Sequence, residues 1–478
     1  MDILNKTVWA APLLLAIGCA TSAHKVASTA SSSGKVFSED ENSVTQVDYR
    51  EPASTELVQP RGAVRKERNI DAPPLGEELL PPLRLPDTVG LTLAAIEQMA
   101  FANNPAIAQS EARIRALRGK WVQAGLPPNP TAGYTGGEIG NDGGAGQNGL
   151  YVGQNFITAH KLQRDRAVVA AEIDKAEQDL VSSRRRVQTD AQRAYYEALL
   201  AQKRVELAEE LGRIADEAVS SSQSLVDAEE IPLAGLLQTE VQQQNTRVLL
   251  RTSENGRYRA WRNLTAVIGG ADLPIQPLVG DVGQLPVSLE WTEQLSRLKQ
   301  QSPEIAAAFA NVDRARRALD RASVEAVPNV STQFSVQYDD GTGDTIAGVQ
   351  VGMPIPLWNR NQGGIRQAQA EVTEALRNAA RVELDLNQRL ADVFQQYADA
   401  QVTAETYSSD ILPRSQRTLD LVQKGYQQGE VGYLDLLTAQ QTFSQANLAY
   451  LDAVGDLWQS YVRIEGLLLE GSLSKGTD

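Results

Sequence analysis

The feature that most constrains this chain is that it runs through one plan twice. Thr92 to Asn104 reads as a short amphipathic helix ending at Asn104-Pro105, and Trp291 to Ser302 repeats it, ending at Ser302-Pro303, 198 residues further on. Helices follow each proline, over Ala106 to Gly125 and Glu304 to Ala326, and stop near Pro127-Pro128 and Pro328. Strands come next in both copies, then helices of nearly 70 residues at about 159–226 and 358–428. Each long helix breaks, at Glu229-Glu230-Ile231-Pro232 and at Gly429-Glu430-Val431-Gly432, 200 residues apart. A second helix then returns, over Leu233 to Ile268 and Tyr433 to Leu469. Near-constant offsets with matched element order mark an internal duplication.

The strands are legible by period two. Thr332, Phe334, Val336 and Tyr338 alternate with Ser331, Gln333, Ser335 and Gln337. After the turn Asp339 to Asp344, Ala347, Val349, Val351 and Met353 alternate with Gly348, Gln350 and Gly352. Alternation across a Gly-rich turn predicts a hairpin over 331–353. In the first copy Thr131 to Thr135 and Leu150 to Ile157 flank a Gly-rich turn and predict its counterpart over 131–157. Strands of about ten residues suffice for a tilted crossing of a bilayer, with lipid on one face and water on the other. Four strands cannot close a barrel, for which about eight are the minimum, so closure requires further copies.

The long helices carry a seam of small and apolar residues at steps of three and four. It includes Ala194, Ala198, Ala201, Val205 and Ala208 on one helix and Leu436, Ala439, Phe443, Ala446 and Tyr450 on a returning one. That is coiled-coil spacing, and alanine there permits close approach. The predicted class is mainly α with a small β part: long antiparallel coiled-coil helices whose seams neighbouring copies complete in an elongated oligomer, and four strands per protomer.

Charge narrows the function. The chain has 45 Lys and Arg against 60 Asp and Glu, net −15, which argues against nucleic acid as a partner. One cysteine and two histidines, His24 and His160, allow neither an internal disulfide nor a Cys/His metal cluster. His160 with Lys161 is expected to be solvated rather than metal-binding, and no metal or cofactor is expected. Enzymatic readings fail for want of a His beside a nucleophile. No GxxxxGK[ST] pattern is present, so no phosphate-binding loop for a nucleotide is expected.

At the N-terminus Lys6 precedes an apolar run from Val8 to Ile17, the pattern of a secretory signal. Leu15-Ala16-Ile17-Gly18-Cys19 resembles the lipobox of bacterial lipoproteins, which implies lipidation of Cys19. The alternative is an ordinary signal peptide cleaved nearby, for example after Ala23. The expected division is 1–19 signal peptide with lipobox, 20–87 disordered Pro/Ser-rich tether, 88–270 first repeat, 271–288 linker, 289–470 second repeat and 471–478 tail.

The duplicated plan, Val351-Gly352-Met353-Pro354-Ile355-Pro356-Leu357-Trp358-Asn359-Arg360-Asn361, and above all Gly425-Tyr426-Gln427-Gln428-Gly429-Glu430-Val431-Gly432-Tyr433-Leu434-Asp435-Leu436-Leu437 resemble the TolC-type outer-membrane efflux family over about residues 88 to 470. The Pro-Leu-Trp-Asn-Arg-Asn-Gln-Gly run resembles its heavy-metal, cobalt–zinc–cadmium branch more than the drug branch. The resemblance implies a homotrimer with a shared twelve-stranded transmembrane β-barrel in outer-membrane lipid and a periplasmic α-barrel. It also implies a place as passive exit duct of a tripartite pump, with a periplasmic membrane-fusion adaptor and an inner-membrane transporter of the resistance–nodulation–division (RND) type. The rivals are the outlet of a type I protein-secretion system and a periplasmic coiled-coil scaffold.

By the same resemblance the two helix breaks form the periplasmic tip. Tyr426 and Asp435 match the family's channel-narrowing tyrosine and first acidic position; the second acidic position is Thr438 here and the frequent basic partner is Val431. A carboxylate in the first turn of a helix, as at Asp435, also fits the macrodipole alone. Gly429, Glu430, Val431, Gly432, Glu229, Glu230 and Pro232 are the adaptor-docking candidates. Gly429 and Gly432 also suit a tight turn, and Pro232 the start of a helix. Trp121 and Trp358 fall near the strand–helix junctions, where aromatic belts sit at bilayer edges.

Overall fold

The computed structural model describes residues 90–140, 144–270 and 273–474. Cys19, His24, the signal segment and the whole of the tether lie outside the described residues. The element order is α1 (Leu93–Asn103), α2 (Pro105–Ala124), β1 (Thr131–Gly137), β2 (Gln147–Phe156), α3 (Lys161–Asp227) and α4 (Leu233–Ile268). The second copy continues with α5 (Trp291–Gln301), α6 (Pro303–Ser323), β3 (Val330–Asp339), β4 (Thr345–Gly352), α7 (Gln362–Thr406), α8 (Leu412–Gln427) and α9 (Tyr433–Glu465).

Shared chemistry at the caps reproduces the plan. Asn104 and Ser302 cap α2 and α6 with side-chain oxygens, accepting from the backbone N–H of Ala106 and Ile305, and Pro105 and Pro303 fill the first helical position. A proline there forfeits no helical hydrogen bond. The two tip turns match bond for bond. Glu230 N–H donates to the Leu225 carbonyl at 2.8 Å and Glu430 N–H to that of Gly425 at 2.9 Å; Glu229 and Gly429 donate to Val226 and Tyr426, both at 3.0 Å. Both are Schellman-type closures with a left-handed residue, Gly429 (φ 72°) in the second copy and Glu229 (φ 59°) in the first. Glutamate is strained there by about 1–2 kcal/mol.

The copies differ in one respect. The 67 residues of α3 run unbroken, about 100 Å at 1.5 Å per residue. Its counterpart, expected continuous over 358–428, is interrupted by a π-helical turn at Tyr407–Ile411. The cause is Pro413, which has no N–H to donate and whose ring collides with the carbonyl of Ser409 in a regular helix. The chain widens there, and Leu412 N–H reaches back five residues to the Tyr407 carbonyl.

The four strands form one antiparallel sheet in the order β1-β2-β3-β4, so the two copies' hairpins pair through β2 and β3. Register sorts the faces. Tyr134, Leu150, Val336 and Ala347 lie side by side, and so do Ala132, Val152, Phe334 and Val349. The opposite face has the rows Thr131, Gly153, Gln333, Gln350 and Gly133, Tyr151, Ser335, Gly348. The apolar rows are uncovered: Leu150 is 69% and Val349 75% exposed. Among the described residues β1 and β4 have no outer partner, leaving two free edges.

The main core sits where the copies meet. Ile96, Val187, Tyr195, Leu264, Leu386 and Leu457 are fully or almost fully buried in one cluster. The described part of the segment expected as a linker is stitched into it. Leu91 N–H donates to the Pro277 carbonyl at 3.0 Å, the Tyr195 hydroxyl donates to the Val279 carbonyl at 2.5 Å, and the Trp458 indole to the Val282 carbonyl at 3.2 Å. Of the alanine seam, Ala194, Ala198, Ala208, Ala439 and Ala446 are buried and Ala201 is half-buried. Among the described residues no helix is long and apolar enough to cross a membrane.

Candidate functional site

Two places combine exposure with chemistry: the tip where α3 turns into α4 and α8 into α9, and the belt where the sheet joins the helices. At the tip, Tyr426 on the last turn of α8 packs with Ala218 of α3 and Leu436 of α9, and is 1% exposed. Its hydroxyl lies 2.9 Å from Ser222 Oγ. Ser222 donates its one hydrogen to the Ala218 carbonyl at 2.8 Å, so Tyr426 is the donor in the pair. Within the protomer its ring belongs to the core that joins α8 to α3. Burial raises the pKa of the neighbouring Tyr433 hydroxyl, with the Tyr426 hydroxyl a lesser cause.

Ser222 is buried on α3, and nothing in the sequence marks it as a partner for a tyrosine 204 positions away. Gln423 adds a second, exposed link, donating to Glu217 at 3.1 Å. Gly425 has no room for a side chain, because a Cβ would lie 2.5 Å from a Val431 methyl.

The other candidate tip residues sit on the two turns. Glu229, Glu230, Glu430 and Gly432 are exposed, and so is Pro232 at the start of α4; Val431 is half-buried. The turns abut, since a Cβ on Gly429 would meet the Glu230 carboxylate at 3.3 Å. Asp435 lies in the first turn of α9, exposed, with its carboxylate folded back over Gly432. Among the described residues it forms no side-chain hydrogen bond or ion pair, so its charge is held only by the helix N-terminus and water.

At the belt, Trp358 is 86% exposed in the segment between β4 and α7. Trp121, on α2, is partly covered by the Arg166 guanidinium, 4.5 Å above its ring. The absence of a side chain at Gly125 makes room for Arg166, since a Cβ there would overlap it. This stacking has no signature in the sequence, the two residues being 45 apart on different helices. Lys161, beside His160, is buried, and its ammonium donates to the Val327 carbonyl at 2.6 Å and to Asn329 Oδ1 at 3.1 Å, pinning α3 to the approach of β3. Among the described residues no group of three or more His, Cys, Asp or Glu is placed to hold a metal ion.

With this geometry in place, similarities to known proteins become specific. A family model described as outer membrane efflux protein matches residues 96–270 and again 294–468, one match for each copy. The chain is 26% identical over 384 residues to the cobalt-zinc-cadmium resistance protein CzcC of Cupriavidus metallidurans, covering 79% of this chain and 90% of that one. Its structure superposes on that of CusC with a TM-score of 0.67, at 16% identity, covering 82% of this chain and 96% of the other. The outer membrane protein VceC of Vibrio cholerae superposes with a TM-score of 0.65, also at 16% identity, covering 79% and 96%. The architecture is that of the TolC-like channels, helical barrel and β-barrel.

Proposed function

Because the chain belongs to the outer membrane efflux protein family, we propose that it works as the passive exit duct of a tripartite efflux pump. In this reading three copies close a twelve-stranded barrel, and the helices continue the passage into the periplasm. The observation that carries it is the sheet: four strands, apolar rows uncovered on one face, Gly and polar rows on the other, and both edges free. Such edges call for pairing, and a four-stranded sheet cannot close alone. Pairing β4 of one copy with β1 of the next satisfies both.

The tip then faces a periplasmic adaptor through the paired turns at Glu229–Pro232 and Gly429–Gly432, with an RND-type transporter beyond. Likeness to a cobalt-zinc-cadmium resistance protein favours metal cations as cargo over the polypeptides of a type I secretion outlet. Release of the native protein by salt alone, without detergent, would instead favour a periplasmic scaffold. Lipidation at Cys19 belongs to the same proposal. Cys19→Ser should abolish acyl labelling while leaving export intact; label persisting in the variant would exclude it.

Purified protein in planar bilayers should give trimer-sized channels. In the trimer, Asp435 would form a ring of three carboxylates at the narrow end. Asp435→Ala should weaken block by divalent cations roughly tenfold for each carboxylate in contact with the ion, the contact Coulomb energy of a doubly charged ion in water being on the order of 1–2 kcal/mol per carboxylate. Unchanged block and unchanged conductance would remove Asp435 from the gate.

A further inference from the structure

Where the sheet meets the helices, the charge of the chain reverses. The connecting segments 121–130, 157–166, 321–329 and 353–366 hold six lysines and arginines against two carboxylates, in a chain of net charge −15. Both carboxylates, Asp165 and Glu325, are engaged by Arg321. Among the described residues the other five cations, Lys161, Arg164, Arg166, Arg360 and Arg366, have no carboxylate partner. Lys161 is buried on a carbonyl and an amide oxygen, and Arg164 donates to the Asp320 carbonyl at 3.1 Å. Arg166 lies over Trp121. Arg360 and Arg366 are exposed, with no side-chain partner among the described residues.

These two arginines follow directly on a run of uncovered apolar side chains. Val349 and Val351 belong to the apolar face of β4, and Met353, Ile355, Leu357 and Trp358 continue beyond the strand, all exposed. Pro354 and Pro356 hold this segment out of helix and sheet, and α7 begins only at Gln362. An apolar face that ends in an exposed tryptophan and then in unpaired arginines follows the gradient of a bilayer edge: hydrocarbon, headgroup, phosphate.

Resting on the duct reading above, we propose that Trp358, Arg360 and Arg366 form an anionic-lipid site that seats the protein on phosphate headgroups of the periplasmic leaflet. The apolar side chains supply depth and the arginines select charge. The occupant is lipid rather than a neighbouring copy because the run continues the lipid-facing rows of the sheet and its charge complements an anionic headgroup. Arg166 on Trp121 adds positive potential to the same belt.

The test is bromine quenching of tryptophan. Purified trimer is reconstituted into phosphatidylethanolamine/phosphatidylglycerol vesicles with bromine on one lipid or the other at equal mole fraction. The Trp358 signal is the difference between the parent protein and Trp358→Phe. Brominated phosphatidylglycerol should quench Trp358 more strongly than brominated phosphatidylethanolamine, reflecting enrichment of roughly fivefold per unpaired arginine. The preference should vanish in R360Q/R366Q and persist in R360K/R366K. Equal quenching by both lipids in the parent protein overturns the site, as does a preference that survives R360Q/R366Q. Loss of trimer in R360Q/R366Q with the lipid preference intact assigns the arginines to a neighbouring copy instead. A protein that conducts in planar bilayers yet shows no lipid preference refutes the site and leaves the duct standing; one that neither conducts nor is quenched by either lipid refutes both.

Discussion

Phe334→Arg should all but eliminate membrane-inserted trimer, whereas Gln333→Arg, one residue away, should insert normally and alter conduction. Phe334 lies at the middle of β3 in the uncovered apolar row with Ala132, Val152 and Val349; Gln333 lies on the other face with Thr131, Gly153 and Gln350. An arginine facing hydrocarbon near the bilayer midplane costs about 2–4 kcal/mol, and closure by three protomers multiplies that to roughly 6–12 kcal/mol per barrel. An arginine on the water side carries no such penalty, but a ring of three positive charges in the lumen should disfavour cations. The measurement is detergent-extractable trimer in the membrane fraction, followed by single-channel recording of Gln333→Arg. Normal insertion of Phe334→Arg would place this face away from lipid and undo the barrel reading.

That contrast is legible in the sequence, because period two fixes which residues share a face wherever the strand ends fall. The first hairpin was harder: Gly133, Gly136, Gly149 and Gly153 carry no hydrophobic signal, and β1 runs two residues beyond its last alternating position. What the sequence did not disclose was pairing across long separations. β2 against β3 joins residues 174 to 192 positions apart, and no local pattern encodes that choice. Pro413 falls inside the run read as one continuous helix over 358–428, and its effect, a π turn rather than a break, depends on the packing of α7 and α8 around it. The tip shows the same division. Gly429 and the turn chemistry are local and readable, whereas the burial of Tyr426 depends on α3 supplying Ser222 from the other copy. A tyrosine near a turn reads equally well as exposed or as core.

The tip is also where a small substitution should have a disproportionate effect on conduction. Ser222→Ala should produce a channel open at voltages where the parent protein is closed, and Tyr426→Phe should do so more weakly. Ser222 and Tyr426 are both almost fully buried, and the tyrosine hydroxyl has the serine oxygen as its acceptor. Without that oxygen, a buried donor is stranded at about 1–3 kcal/mol per protomer, a penalty relieved when α8 and α9 leave α3 and water reaches the hydroxyl. Tyr426→Phe removes donor and requirement together and leaves Ser222 bonded to the Ala218 carbonyl, a loss of about 0.5–1.5 kcal/mol. Summed over three protomers the difference is several kcal/mol, enough to invert an equilibrium that favours the closed tip a hundredfold. The double variant should resemble Tyr426→Phe rather than the sum of the two, because the stranded donor no longer exists. The π turn at Tyr407–Ile411 gives α8 a place to pivot that α3 lacks, so the moving arm is expected to be the α8–α9 pair. Planar-bilayer recordings of open probability decide the matter. Ser222→Ala as closed as the parent, with trimer and fold intact, would show that the hydroxyl pair does not hold the tip shut.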